Sequence, residues 1–245
     1  MRQTRLYLEG EYDSGSELEI DAQRTHYLSR VLRLRVGDTI VIFNGTGAQF
    51  SASITALQRS RGRLVVHDAL AAATESGFKL HLAQGISRSE RMDFVVQKAT
   101  ELGVRRITPL LTEHGVVKLA AERAEKRRQH WRQVATSACE QSGRVRLPLV
   151  DAPVRLDTWL ADKTQQADIG IVLKPGATEG LASIDVPATK VCLLVGPEGG
   201  FSNAEHEMME AVGFRAVSFG PRVLRTETAA IAALAVLQAR CGDMN

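Results

Sequence analysis

Cysteine is scarce in this chain: three residues in 245, and Cys139, Cys192 and Cys241 are odd in number and widely spaced. That pattern offers neither the paired spacing of a zinc site nor an even set for a disulfide framework, so no metal is expected. It fits a reducing cytoplasm. Long apolar runs are lacking too. No stretch approaches the roughly eighteen uninterrupted apolar residues that a membrane span needs. The opening Met1-Arg-Gln-Thr-Arg-Leu-Tyr-Leu-Glu-Gly10 carries no apolar segment, so no secretory signal is expected there. Two common nucleotide loops are also missing. No Gly-x-Gly-x-x-Gly opens a helix, and no Gly-Lys-Ser/Thr follows a glycine-rich turn. What is present, 44% hydrophobic residues, supplies an ordinary globular core in one large domain or two smaller ones.

Net charge is only +3, but its distribution is uneven. Residues 22–66 hold seven Arg against the single acid Asp38. Residues 118–146 hold eight Lys or Arg against three acids, and residues 147–245 hold eight bases against twelve acids. Any one basic run reads equally well as solvated surface. Two basic blocks segregated from an acidic one favour a polyanionic partner, most simply a nucleic acid.

Residues 1–72 read as a small β domain, a barrel or curved sheet. Thr39–Phe43, Gln49–Ile54 and Arg63–His67 are short strands rich in β-branched residues. Asn44-Gly45 and the Arg59–Gly62 stretch are turns between them. One short helix is expected between Asp21 and Leu34, with Leu28, Val31 and Leu32 on one face. Ala69–Gly77 has no strand pattern and reads as a linker. From residue 73 to 245 the texture is α/β. Strands are expected at 79–84, 106–111, 168–173, 190–195 and 215–219. Helices are expected from Ser89, as cap, to Leu102, at 119–141, after the Ser202-Asn-Ala-Glu205 capping box, and at 226–240. This alternation predicts a mostly parallel sheet with helices on both faces. The last helix is apolar on every face over Ala229–Leu237. Burial on all sides follows, either within a single protomer or against a second copy in a homodimer.

Two loops leave strands of this α/β unit and carry the chemistry. Val191–Val195 opens into Gly196-Pro-Glu-Gly-Gly-Phe-Ser202. Pro197 stiffens that loop, while Gly199 and Gly200 allow positive φ and close backbone approach. Alone it is equally a tight structural turn. The second loop is Phe219-Gly-Pro-Arg-Val-Leu-Arg-Thr-Glu-Thr-Ala-Ala230. Thr226 is placed as helix N-cap, and Glu227 in the first turn suits the helix dipole. Arg225 opposes that dipole, so it serves a ligand or pairs with Glu227 or Glu198.

These two loops together resemble the SPOUT superfamily of methyltransferases. More narrowly, they resemble the RsmE-type enzymes that methylate ring N3 of a uridine in 16S ribosomal RNA. Three further segments extend the likeness over nearly the whole chain. His26–Arg33 with Gly37-Asp38 is similar to the family's PUA-like RNA-binding domain. Arg91–Val104, and Glu140–Arg144 followed by Pro148, are similar to its middle motifs. The resemblance implies a C-terminal trefoil knot, a homodimer and S-adenosylmethionine as cofactor. Carried over residue by residue, the cofactor pocket would use Leu173, Gly196, Pro197, Glu198, Gly199, Gly200, Phe219, Gly220, Leu224, Thr226, Thr228 and Ala229. The sequence departs from the family at Thr112–Val116, where His114 and Gly115 stand in place of the usual Arg and Ser or Cys.

Under this resemblance the partner is 16S rRNA in the small ribosomal particle. Arg24, His26, Arg30 and Arg33 would face RNA from the first domain, and Lys126, Arg127, Arg128 and Arg132 from the long helix. His26 itself is expected to pack or hydrogen-bond rather than react. Uridine N3 must lose its proton before it attacks, and the charge then spreads onto O2 and O4. Arg225 would stabilise that charge, with Glu198 or Glu227 orienting Arg225 or taking the proton. A contact from Arg225 to a cofactor carboxylate or RNA phosphate fits equally. Three other functions remain open from sequence alone: ribose 2′-O methylation, a non-catalytic RNA-binding assembly factor, and a small-molecule enzyme holding an adenine nucleotide.

Overall fold

The computed structural model describes residues 3–115, 121–162, 167–185 and 190–244. The chain forms two compact units. The first comprises residues 1–75 and 139–147, the second residues 76–138 and 148–245.

The first unit is built on a five-stranded sheet in the order β1-β3-β4-β5-β2, with β1 Arg5–Tyr7, β2 Glu17–Ile20, β3 Thr39–Phe43, β4 Gln49–Leu57 and β5 Gly62–Ala69. Only β1 and β3 run parallel; the other pairs are antiparallel. Both β4 and β5 run longer than their β-branched centres suggest, because β-bulges at Phe50/Ala52 and Ile54/Ala56 carry the pairing on. Asp21 caps the expected helix, which is two pieces: α1 Ala22–His26, then a π-helical turn over Tyr27–Val31. The π turn rotates the side chains off a 3.6-residue repeat. Leu28 is therefore fully buried while Val31 is exposed, not on one apolar face with it. Residues 139–147 are fastened to this unit by Glu75. Its carboxylate accepts from the Arg144 guanidinium at 3.0 Å and from the backbone N–H groups of Val145 and Arg146.

The second unit is a seven-stranded, wholly parallel sheet. Its order is β12 Arg215–Val217, β10 Ile169–Leu173, β11 Lys190–Val195, β6 Lys79–Gly85, β7 Arg106–Leu111, with β8 Leu149–Val150 and β9 Val154–Arg155 both paired to β7. The central β6 and β11 are buried along almost their entire length, as strands covered on both faces must be. Alternate residues feed two cores. Leu80, Leu82, Val191 and Leu193 pack beneath α2 Ser89–Glu101, α3 Ala121–Ser142 and α6 Thr226–Cys241. Ala83, Cys192 and Leu194 face the other side, against α4 Leu156–Ala161 and α5 Asn203–Ala211. Helix α2 starts at Ser89, with Arg88 in the cap position assigned above to Ser89. The Ser202–Glu205 capping box forms as expected. Positions 119–120 of the long helix lie outside the described residues.

One buried group gives this fold a pH dependence. His81 sits in the sheet, its Nε2 2.8 Å from the Thr108 hydroxyl and its ring edge-on to Trp159. Burial, aided by the nearby Arg106 charge, lowers its pKa from 6.5 to about 4. Between those values the unfolded chain binds a proton that the folded chain does not, so stability is lost as pH falls through the window. The loss amounts to at most about 3 kcal/mol below pH 4. Denaturant titrations between pH 7 and 4 should show this slope, and His81→Gln should flatten it. An identical slope in the variant would assign the loss to other groups.

Candidate active site

The carboxyl ends of β10, β11 and β12 open into a cavity of about 510 Å³. This is where parallel α/β sheets expose their loops, and the volume lies in the small-molecule range. Three segments wall it: Leu173–Pro175, Val195–Phe201, and the loop from Phe219 into the first turn of α6.

The middle wall is held by buried polar contacts. Gln84, fully buried at the end of β6, donates through Nε2 to the Thr226 hydroxyl at 2.9 Å and to the Gly85 carbonyl at 3.0 Å. The Thr226 hydroxyl in turn donates to the Gly196 carbonyl at 2.6 Å. Thr226 is thus no N-cap. Arg225 holds the cap position, and the hydroxyl ties α6 to the first loop instead. A Cβ on Gly85 would stand 2.5 Å from both the Pro197 ring and its nitrogen, so only glycine lets the two strand ends approach. Gly200 closes the turn at φ +69°, its N–H donating to the Pro197 carbonyl at 2.9 Å. On the outer side His114 Nδ1 lies 3.2 Å from the Gly199 carbonyl, which gives the departing His114 a structural contact.

Of the residues carried over for the cofactor pocket, Leu173, Gly196, Pro197, Glu198, Gly199, Gly200, Phe219, Gly220, Leu224, Thr226 and Ala229 all line this cavity. Thr228 does not; it is exposed in the first turn of α6, off the face that Thr226 and Ala229 present to the cavity. Arg225 also lines it and is exposed. The expected pairing of Arg225 with Glu198 or Glu227 does not form. Both acids face Arg91 of α2, Glu198 Oε1 at 3.0 Å and Glu227 Oε1 at 3.9 Å. Glu198 Oε1 also accepts from the Arg88 N–H at 3.3 Å, and Glu227 Oε2 is buried without a hydrogen-bond partner.

Arg222 and Val223, inside the Phe219–Ala229 stretch expected at the pocket, line it as well, whereas sequence reasoning missed Arg91, Lys174, Pro175, Val195, Phe201 and His206. Lys174 and Pro175 directly follow Leu173 on the chain, and Val195 and Phe201 flank the Gly196–Gly200 loop, so position alone could have pointed to all four. Nothing local marks His206 in α5. Its Nδ1 is buried without a partner, and burial, with the Lys174 charge, holds its pKa below the ordinary value. Among the described residues no cluster of His, Cys, Asp and Glu is arranged to hold a metal ion, and no helix is long and apolar enough to cross a membrane.

The basic blocks divide into exposed and engaged side chains. Arg30 and Arg33 are exposed, and Arg24 is half-buried and ion-paired to Asp21. His26 is exposed, not packed as expected, because the helix turns its face to solvent there. On α3, Lys126 and Arg132 are exposed. Arg128 is engaged structurally, donating to the Val150 carbonyl at 3.1 Å and pairing with Glu125 at 3.3 Å. Arg127 is half-buried.

Known proteins match this architecture throughout. A family model for an RNA methyltransferase domain matches residues 74–238, and one for an RNA methyltransferase PUA domain matches residues 20–66. Ribosomal RNA small subunit methyltransferase E of Buchnera aphidicola subsp. Schizaphis graminum is 34% identical over 241 residues, 98% of each chain. A structure from Legionella pneumophila, in complex with the bound cofactor SAM, superimposes with a TM-score of 0.94 at 40% identity, covering 99% of this chain and 100% of that one. The Ribosomal RNA small subunit methyltransferase E of Neisseria gonorrhoeae, bound to S-adenosyl methionine, gives 0.92 at 34% identity with full coverage of both chains.

Proposed function

The chain belongs to the RsmE-type family of ribosomal RNA methyltransferases, and from that premise we propose that it methylates ring N3 of one uridine in 16S rRNA, using S-adenosylmethionine. The observation that carries the reading is a cavity with an exposed, uncommitted Arg225 at its wall.

The residues present fit the cofactor. The cavity has the volume for it, a stiff loop of glycines for close backbone approach, and an unpartnered His206 Nδ1 in its wall. Leu173, Gly196–Gly200, Phe219, Gly220, Leu224, Thr226 and Ala229 would hold it. When bound, S-adenosylmethionine would supply an electrophilic sulfonium methyl group for transfer to N3.

Arg225 stabilises the negative charge that spreads onto O2 and O4 as N3 loses its proton. Glu227, with one buried unpartnered oxygen, takes that proton. Walls of loop and helix would hold the uridine against the cofactor, and positioning would supply much of the rate. Arg30 and Arg33 of the first unit, and Lys126 and Arg132 of α3, contact RNA phosphates, which set affinity and orientation rather than base choice.

Two further parts belong to this reading. The trefoil threading is supported by the strand order, in which β10 lies between β12 and β11. A homodimer is supported by α6. One of its faces is buried, while the apolar Ile231, Ala232, Ala235 and Val236 remain half-buried in a single chain. Free cysteines fit a cytoplasmic setting. The product nucleoside tests the reaction: 3-methyluridine is expected, and ribose-methylated uridine would move the nucleophile to the 2′-hydroxyl.

A further inference from the structure

Arg91 from α2, Glu198 from the first loop and Arg225 from the start of α6 line the cavity together with Lys174 and Arg222, and Glu227, outside the lining, stands beside Arg91 in the first turn of α6. These cations and the carboxylates of Glu198 and Glu227 allow more than one pairing. Glu227 is two residues from Arg225, and Glu198 lines the same cavity as Arg225. A carboxylate within reach of a free guanidinium competes strongly for it, because the charge-assisted, two-pronged hydrogen bond is among the strongest a side chain makes. An Arg225 so captured would be neutralised toward a substrate anion.

The structure shows the other pairing. Arg91 takes Glu198 at 3.0 Å, with Glu227 at 3.9 Å from its Nε. The Arg88 N–H fixes the same Glu198 oxygen from the start of α2. Helix α2 is itself anchored, with Met92, Val95, Val96 and Ala99 all fully buried in the core. The guanidinium of Arg91 is therefore delivered by a rigid element, whereas Arg225 sits at a helix cap with an exposed side chain.

We infer that Arg91 is a positioning residue. It sequesters Glu198 and Glu227, and so keeps Arg225 free for the negatively charged substrate. This rests on the role given to Arg225 above, but the pairing it describes is a property of the protein alone.

The test uses the full chain with 15N-labelled arginine, and compares Arg91→Ala with the wild type. In the wild type the Arg225 guanidinium should rotate freely about its Cζ–Nε bond by NMR, and Arg91 should be restrained. In Arg91→Ala the Arg225 signal should become restrained. An Arg225 that stays mobile in the variant overturns the inference, whatever reaction the protein performs. Turnover gives the second arm. Arg91→Ala should lower kcat roughly 10- to 100-fold with cofactor Kd nearly unchanged, and Arg91→Lys should recover much of it. The penalty of Arg91→Ala should shrink severalfold when Glu198 is already Gln, because a competitor for Arg225 is gone. An equal penalty in both backgrounds, or a loss confined to cofactor affinity, contradicts sequestration. A wild type that makes no 3-methyluridine defeats the proposed reaction and leaves the NMR arm to decide the pairing.

Discussion

Replacing Arg225 with alanine lowers turnover by about two to three orders of magnitude and leaves cofactor affinity within about threefold. The asymmetry follows from where the residue sits. Its side chain is exposed at the cavity wall, and both neighbouring acids are engaged with Arg91. It therefore has no structural partner to abandon, so the fold should survive the change. A group that stabilises charge only as N3 loses its proton contributes to kcat and not to ground-state binding. Single-turnover methylation and calorimetric cofactor binding, measured on the same preparation, separate the two. Equal losses in both would make Arg225 a cofactor contact. A rise in KM for RNA with kcat intact would make it a phosphate contact.

Gly85→Ala should abolish cofactor binding in practice, weakening it about 100-fold or more. A new Cβ would lie 2.5 Å from the ring and nitrogen of Pro197 and 3.0 Å from the Gly196 carbonyl carbon. Those neighbours are backbone and a rigid ring, so the loop as a whole must move. The Thr226–Gly196 hydrogen bond and the Gln84 contacts would break with it. Gly77→Ala is the control, because a Cβ there meets nothing within 4 Å. Thermal melting of both variants distinguishes a displaced loop from a lost fold. A Gly85→Ala protein that binds cofactor as the wild type does would remove the Gly196–Gly200 loop from the binding wall.

Much of this site is legible in the sequence, for local reasons. β3, β7 and β11 coincide with their apolar or β-branched runs, because their ends are set by adjacent turns and not by distant contacts. The capping box at Ser202 reads from four residues. β1, β2, β8 and β9 do not read, being two to four residues long and defined only by the strands they join. α4 is only six residues long, and Leu156 and Trp159 matter only once the second core exists. The same limit governs the charges. The Arg91–Glu198 pair spans 107 positions of sequence, so the two loops read alone offered only each other's acids, Glu198 and Glu227, as partners for Arg225. Thr226 looks like a cap because threonine favours caps, yet its hydroxyl is claimed by a carbonyl 30 positions away.

The most direct test of the account is methyl transfer from labelled S-adenosylmethionine to small ribosomal subunits that lack the modification. Digestion and nucleoside mass spectrometry then identify the product, with wild type and Arg225→Ala in parallel. The account predicts 3-methyluridine at a single position from the wild type and a rate lower by about two to three orders of magnitude from the variant. A different methylated nucleoside, or no incorporation by a wild-type protein that binds the cofactor, would contradict it.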